Sequence, residues 1–170
     1  MNAPRAAIVT AAGSGTRLGR DIPKALVPVN GVPMLVRSVW PFAAFEHIVV
    51  TAPASHVDDV EAALRGHGLP QVSVVVGGVS RAESVSRALA AVPDDAEVVL
   101  VHDAARPLVT RQVILAGIEA ATRHGAAVAA IPVRDTLKQV GPDGETVTGT
   151  VDRTNLWAAQ TPQVGAIHRP

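Results

Sequence analysis

Cysteine and tyrosine are absent from this 170-residue chain, and phenylalanine and tryptophan occur only twice each. Without cysteine there is neither a disulfide framework nor a thiolate metal site. Aromatics make up 2% of a composition that is 48% hydrophobic, so a core has to be built from Ala, Val, Leu and Ile. No sign of charge is in surplus, since 15 Lys and Arg stand against 15 Asp and Glu. A sequence-independent nucleic-acid binder normally carries a basic excess, and that class is set aside. Long apolar runs are missing too. No stretch suits a membrane span, and none behind Arg5 suits a signal peptide. A soluble cytoplasmic protein is expected. Histidines at 47, 56, 67, 124 and 168 show no metal-ligand spacing.

What is present is alternation. Short Val- and Ile-rich runs at Ala6–Thr10, His47–Ala52, Val72–Val76, Glu97–His102 and Ala127–Val133 read as strands. Helical periodicity falls between them, at Pro33–Phe45, Val57–Gly66, Arg81–Val92 and Arg111–His124. Ser80 with Glu83 fits a capping box, Ser55 and Thr110 are candidate N-caps, and Gly125 suits a helix stop. Continuous apolar strands separated by helices imply an α/β fold. Its mostly parallel, Rossmann-like sheet is covered by helices on both faces, in three layers. Ligands of such sheets bind beyond the strand C-termini. One domain, residues 1–170, is expected on length. After Val133 the pattern changes. Thr136–Val140 and Thr146–Val151 flank the turn-rich 141–145 segment, which predicts a β-hairpin. A hairpin so poor in apolar residues must pack on its own domain or on a neighbouring subunit.

The first strand runs into Ala11-Ala12-Gly13-Ser14-Gly15-Thr16-Arg17-Leu18-Gly19-Arg20-Asp21-Ile22-Pro23-Lys24. Glycines at 13 and 15 permit positive φ and close approach of a ligand to the backbone, and exposed amides in such a turn form an anion-binding concavity. Arg17, Arg20 and Lys24 outnumber Asp21 in a chain of zero net charge. The spacing is neither of the two common phosphate loops. Position 18 is Leu where a dinucleotide fingerprint needs Gly, and no window supplies the Gly-Lys-Ser/Thr of a P-loop. A polyphosphate cradle is the reading that uses all of these features.

The cradle, with Pro23-Lys24, resembles the nucleotide-binding loop of the sugar-nucleotide pyrophosphorylase and cytidylyltransferase superfamily. Gly77-Gly78-Val79-Ser80-Arg81-Ala82-Glu83-Ser84-Val85, Val101-His102-Asp103-Ala104-Ala105-Arg106-Pro107 and Pro132-Val133-Arg134-Asp135-Thr136-Leu137-Lys138 continue the likeness. Thr150-Val151-Asp152-Arg153 and Gln160-Thr161-Pro162-Gln163 complete it. In that order the motifs, spanning residues 6 to 165, resemble the 2-C-methyl-D-erythritol 4-phosphate cytidylyltransferase family of the non-mevalonate isoprenoid pathway.

The resemblance implies that a phosphate oxygen of methylerythritol phosphate attacks the α-phosphorus of CTP and that pyrophosphate leaves. Two anions must meet, so the site needs charge neutralisation and in-line positioning more than a base. By the same likeness, Arg17 and Lys24 stabilise the transition state. Ala11, Ala12, Gly13, Ser14 and Gly15 offer backbone donors to CTP, while Gly78, Arg81, Ser84 and Ala104 contact the nucleotide. Asp103 contacts the polyol and Arg106 its phosphate, with Thr136, Arg153 and Thr161 completing the polyol phosphate site. Magnesium is expected on the triphosphate, held mainly by phosphate oxygens and water. Arg20, Asp135 and Lys138 read as surface charges, and His102 as a structural neighbour rather than a base.

The family uses the hairpin, about residues 134–153, as an arm exchanged in a homodimer, placing Thr136 and Arg153 in the partner's site. Family members continue beyond the Thr161-Pro162-Gln163 motif with a helix, a strand and a substrate-binding lysine. Nothing here matches that lysine, and a C-terminally shortened chain is expected, lacking part of the sheet. Three alternatives remain open at this point: a ribitol-5-phosphate cytidylyltransferase, a CTP-binding protein without turnover, and an interaction module that leaves the cradle unexplained.

Overall fold

The computed structural model describes residues 4–13 and 22–167. In chain order the elements are β1 (Arg5–Thr10), β2 (Pro28–Val29), β3 (Val32–Pro33), α1 (Met34–Val39), β4 (His47–Ala52), α2 (Val57–Gly66) and β5 (Ser73–Val76). There follow α3 (Arg81–Ala90), β6 (Val98–Asp103), α4 (Arg111–His124), β7 (Ala126–Pro132), β8 (Lys138–Val140), β9 (Val147–Thr150) and β10 (Trp157–Ala166).

Six strands form one sheet in the order β5-β4-β1-β6-β10-β7. β1 is central and pairs in parallel with β4 and β6, so Ile8 faces Val49 on one side and Val101 on the other. β10 alone runs antiparallel, between β6 and β7. The result is the mostly parallel three-layer α/β fold the alternation implied, with one reversed strand that the alternation did not show.

Both faces of β1 are buried, which is why its apolar run is unbroken. Ala7 and Val9 join the larger core cluster with Leu35, Phe42, Leu64, Leu100, Ile114 and Val164, on the side of α1, α2 and α4. Ala6 and Ile8 face the other way, toward Val49, Ala88, Val92 and Val99 under α3. Scarce aromatics give Phe42 unusual weight. It is fully buried, edge-on to Phe45 and 5.5 Å from the His102 ring.

Local signals set most element ends. The Ser80 hydroxyl accepts the Glu83 amide at 3.1 Å and starts α3. Thr110 does the same for α4, accepting from Val113, and Gly125 closes that helix at φ 86°. Three expectations need correction. Ser55 is not an N-cap; it lies within a 3-10 turn, and its hydroxyl meets the His56 ring. The helix placed at Pro33–Phe45 is α1 plus a 3-10 turn over Trp40–Phe42, because Pro41 brings no N–H to continue it. Gly13 does not use positive φ, and a Cβ there would meet nothing within 4 Å, so its contribution is open space.

The hairpin forms as expected with shorter strands, Lys138–Val140 against Val147–Thr150. Asp143 organises its turn by accepting the amides of Glu145 and Thr146 at 3.1 and 3.0 Å. These hydrogen bonds hold the Asp143 carboxyl below the usual range, the Thr146 hydroxyl being the largest cause. Among the described residues the arm pairs only with itself, as a separate two-stranded sheet whose Val140 and Val147 are 45% and 58% exposed. Among the described residues no helix is long and apolar enough to cross a membrane.

Candidate active site

Residues 11–13, the start of the cradle, follow β1, the Gly77-Gly78 turn follows β5, and Asp103 ends β6; these strands all run parallel, so the three lie at the same rim of the sheet. Side chains from the end of β1, from α3 and from the loop after β6 meet at Asp103. Asp103 Oδ1 accepts from the Thr10 hydroxyl at 3.1 Å and from Arg81 Nε at 3.0 Å. Its Oδ2 accepts from Arg106 Nε at 3.4 Å. Burial alone would push this carboxyl up. The Arg81 hydrogen bond and charge, with help from Thr10 and Arg106, outweigh it and hold Asp103 below the usual carboxylate range. A carboxylate at the end of an apolar strand is thereby kept ionised, with two exposed guanidinium groups over it.

Beneath the carboxylate lies a second, buried layer. The Thr161 hydroxyl accepts the Asp103 amide at 3.2 Å and lies 3.0 Å from His102 Nδ1, while His102 Nε2 lies 3.1 Å from the Arg106 carbonyl. A carbonyl can only accept, so Nε2 carries the proton, Nδ1 accepts, and Thr161 donates to it. Burial pulls the His102 pKa below the ordinary imidazole range, against the opposing pull of the Arg106 carbonyl and Asp103. This neutral, fully buried ring is structural, as its sequence context suggested.

Several expected nucleotide contacts are already engaged. The Ala11 amide, expected as a donor to CTP, is given to Thr51, to its carbonyl at 3.1 Å and its hydroxyl at 3.2 Å. Ala11 is thus a packing residue, and that donor role is corrected. Ala104 is buried between Thr10, whose carbonyl accepts its amide, and Ser38, whose hydroxyl donates to its carbonyl. Ser84 is 3% exposed, and its hydroxyl accepts the Gly78 amide and donates to the Ser80 carbonyl. Ala12 is half-buried and Gly13 exposed at the start of the cradle. Ser14, Gly15 and Arg17 lie outside the described residues. Lys24 is exposed in a 3-10 turn over Lys24–Leu26 and makes no ion pair among the described residues.

Thr136 and Arg153 are exposed near the base of the arm, and no hydrogen bond joins either to the Asp103 cluster among the described residues. Thr161 is brought to the cluster, but its hydroxyl is spent on Asp103 and His102. Two residues of the cluster escaped the sequence reading. Thr10 ends β1 and passes for a strand residue. Gln160, whose side-chain oxygen accepts from the Arg106 guanidinium, stands in the Gln-Thr-Pro-Gln motif but could not be assigned a partner 54 residues away. A mostly apolar cavity of about 750 Å³ opens beside this turn, between α4, β7 and β10. Its lining suits apolar groups, not a triphosphate.

The family model for 2-C-methyl-D-erythritol 4-phosphate cytidylyltransferase matches residues 5–168. The chain belongs to this family. A 2-C-methyl-D-erythritol 4-phosphate cytidylyltransferase of Symbiobacterium thermophilum is 48% identical over 170 residues, covering 96% of this chain and 69% of its own. A bifunctional enzyme IspD/IspF of Desulfotalea psychrophila is 44% identical over 161 residues, and the chain spans 41% of that protein. Among solved structures, a 2-C-methyl-D-erythritol 4-phosphate cytidylyltransferase from Thermus thermophilus superposes with a TM-score of 0.72 at 32% identity. That likeness covers 98% of this chain and 71% of the other. A 4-diphosphocytidyl-2C-methyl-D-erythritol synthase from Anaerococcus prevotii gives a TM-score of 0.80 at 26% identity, over 96% and 71% of the two chains. Within this family, residues 11–13 and the ordered motifs at 77–85 and 101–107 lie at one rim of the sheet.

Proposed function

We propose that this chain transfers a cytidylyl group from CTP to 2-C-methyl-D-erythritol 4-phosphate, as the names of its relatives say of those proteins. The observation that carries the proposal is the Asp103 cluster. A carboxylate for hydroxyl groups and the Arg106 guanidinium for a phosphate stand side by side, one strand from the glycine-rich cradle. A phosphate oxygen of the polyol forms a bond to the α-phosphorus, the bond from that phosphorus to the bridging oxygen breaks, and pyrophosphate leaves with the electron pair. The nucleophile is ionised at neutral pH, so the protein supplies positioning and cations rather than a base. Arg17 and Lys24 neutralise the triphosphate; Ala12, Gly13, Ser14, Gly15, Gly78 and Arg81 bind the nucleotide.

Both Asp103 oxygens are engaged, and no group of three metal-binding side chains occurs among the described residues. Magnesium enters this reading as part of the Mg–CTP substrate, held mainly by phosphate oxygens and water. The self-paired arm, with exposed Val140 and Val147, supports a homodimer in which the partner covers it and receives Thr136 and Arg153. A single nucleotidyltransferase domain acting in the cytoplasm completes the proposal.

The test is pyrophosphate release from Mg–CTP with methylerythritol phosphate and, separately, ribitol 5-phosphate, with mass detection of the product. Turnover on the first alone supports the proposal. Turnover on ribitol phosphate alone transfers it to that substrate, and CTP binding with silence on both removes the catalytic claim.

A further inference from the structure

Glu83 and Arg87 look like an ordinary surface ion pair one helical turn apart. The structure contains two others, Glu61–Arg65 on α2 and Glu119–Arg123 on α4. Among the described residues those two pairs hold only each other. The α3 pair also grips backbone. Arg87 Nη1 donates to the Gly77 carbonyl at 2.9 Å, and the Glu83 carboxylate accepts the Val79 amide at 2.9 Å. Ser84 takes the intervening Gly78 amide at 3.0 Å. The Gly77 amide is given to Ala52 at 2.9 Å. The polar groups of one short turn are thus pinned from two elements.

Packing closes what hydrogen bonds leave open. A Cβ at Gly77 would stand 2.2 Å from Ala12 Cβ, and one at Gly78 would stand 2.3 Å from Glu83 Cγ. The turn therefore presses directly on the start of the cradle and on α3. In the strand order β5 lies on the opposite side of β1 from β6. With phosphates over the cradle and the polyol phosphate at Asp103 on the β6 side, the surface left for the nucleobase is this neutral, peptide-lined turn. Fixed peptide groups tell one base edge from another only if they do not move to suit both.

We infer that Glu83 and Arg87 are positioning residues for nucleotide choice, clamping the Gly77–Val79 backbone into the shape that separates cytosine from uracil. Neither touches substrate; both act through the turn. Hydrogen bonds to the carboxylate and guanidinium are charge-assisted, and so stiffer than the neutral bonds that would replace them. The inference rests on the CTP reading above.

Calorimetry with Mg–CTP and Mg–UTP, applied to the wild type, Arg87→Ala, Arg87→Lys and Glu83→Gln, tests it together with kcat, KM and amide exchange at residues 78 and 79. In Arg87→Ala the CTP Kd is expected to rise about fivefold to tenfold, with a similar narrowing of the CTP/UTP ratio and faster amide exchange. kcat and the KM for the polyol phosphate are expected to stay near wild type, and Arg87→Lys to recover part of the loss. Glu83→Gln carries the same expectation through Val79 and covers the case of an unfolded Arg87→Ala. A wild type that prefers CTP, beside variants that prefer it equally, overturns the inference alone. A wild type that binds neither nucleotide overturns the CTP reading and this inference with it.

Discussion

The Thr161 hydroxyl on β10 lies 3.0 Å from His102 Nδ1 on β6 and also takes the Asp103 amide at 3.2 Å, so one buried oxygen fixes both residues that precede the Ala104-Ala105-Arg106 turn. Through His102 Nε2 the same chain of bonds reaches the Arg106 carbonyl. Asp103 and Arg106, the pair proposed to meet the substrate, are thus set from below by His102 and Thr161.

Replacing that oxygen has a definite cost. Thr161→Val keeps the shape and leaves a buried amide and a ring nitrogen without partners, which costs about 1–3 kcal/mol. For a chain of this size that is a fall in Tm of roughly 2–10 °C. Thr161→Ser is expected to restore most of it. Thermal unfolding of both variants checks this, and a Thr161→Val protein that melts with the wild type would show that the hydroxyl contributes nothing to stability.

Stability should fall on mild acidification. His102 titrates below 6.5 in the folded protein because burial disfavours the imidazolium, while the unfolded chain binds its proton at the ordinary value. Between those values the unfolded state holds more protons, so stability rises with pH there. The contribution is complete above the unfolded value of 6.5 and is lost as pH falls through the folded one. Urea unfolding at a series of pH values below neutrality is expected to show this slope, and His102→Gln to flatten it.

Arg17→Ala and Lys24→Ala are each expected to lower kcat by roughly 10²–10³-fold, the scale of removing one transition-state charge partner, with a much smaller change in CTP affinity. Steady-state kinetics alongside calorimetry separates the two. Equal losses in turnover and affinity would assign these cations to ground-state binding.

Gly77→Ala places a methyl group 2.2 Å from Ala12 Cβ, where neither backbone can yield without moving the cradle. Overpacking of this kind costs about 1–3 kcal/mol. CTP affinity should drop with stability in this variant. At Gly13, where a Cβ meets nothing, Gly13→Ala should leave stability unchanged and report only on the ligand. Paired melting curves and CTP titrations decide both.

Much of this molecule is legible in its sequence. The ends of α2 and α4 matched residue for residue, and Ser80, Thr110 and Gly125 cap as their positions suggest, because capping and periodicity are local. The β2–β3 hairpin has an equally local signature, Asn30-Gly31 at φ 48° and 76°, which the strand and helix periodicities do not register. For the site, the sequence supplied Asp103, Arg106, Arg81 and Thr161 as members of ordered motifs.

Tertiary structure alone decided the reversed strand and what it carries. Trp157–Ala166 lacks strand periodicity and contains Pro162, which has no amide to give. It is a strand because β6 and β7 leave a gap that Val101 and Val128 both close by pairing with Gln163. That pairing brings Thr161 under His102 and Gln160 to Arg106, and the central position of β1 brings Thr10 to Asp103. Such contacts join residues 54 to 93 apart in the chain. Backbone preference and side-chain spacing act over a few residues only, so the sequence could mark Asp103, Arg106 and Thr161 as motif residues, but only the packed sheet could join them to one another and to Thr10 and Gln160.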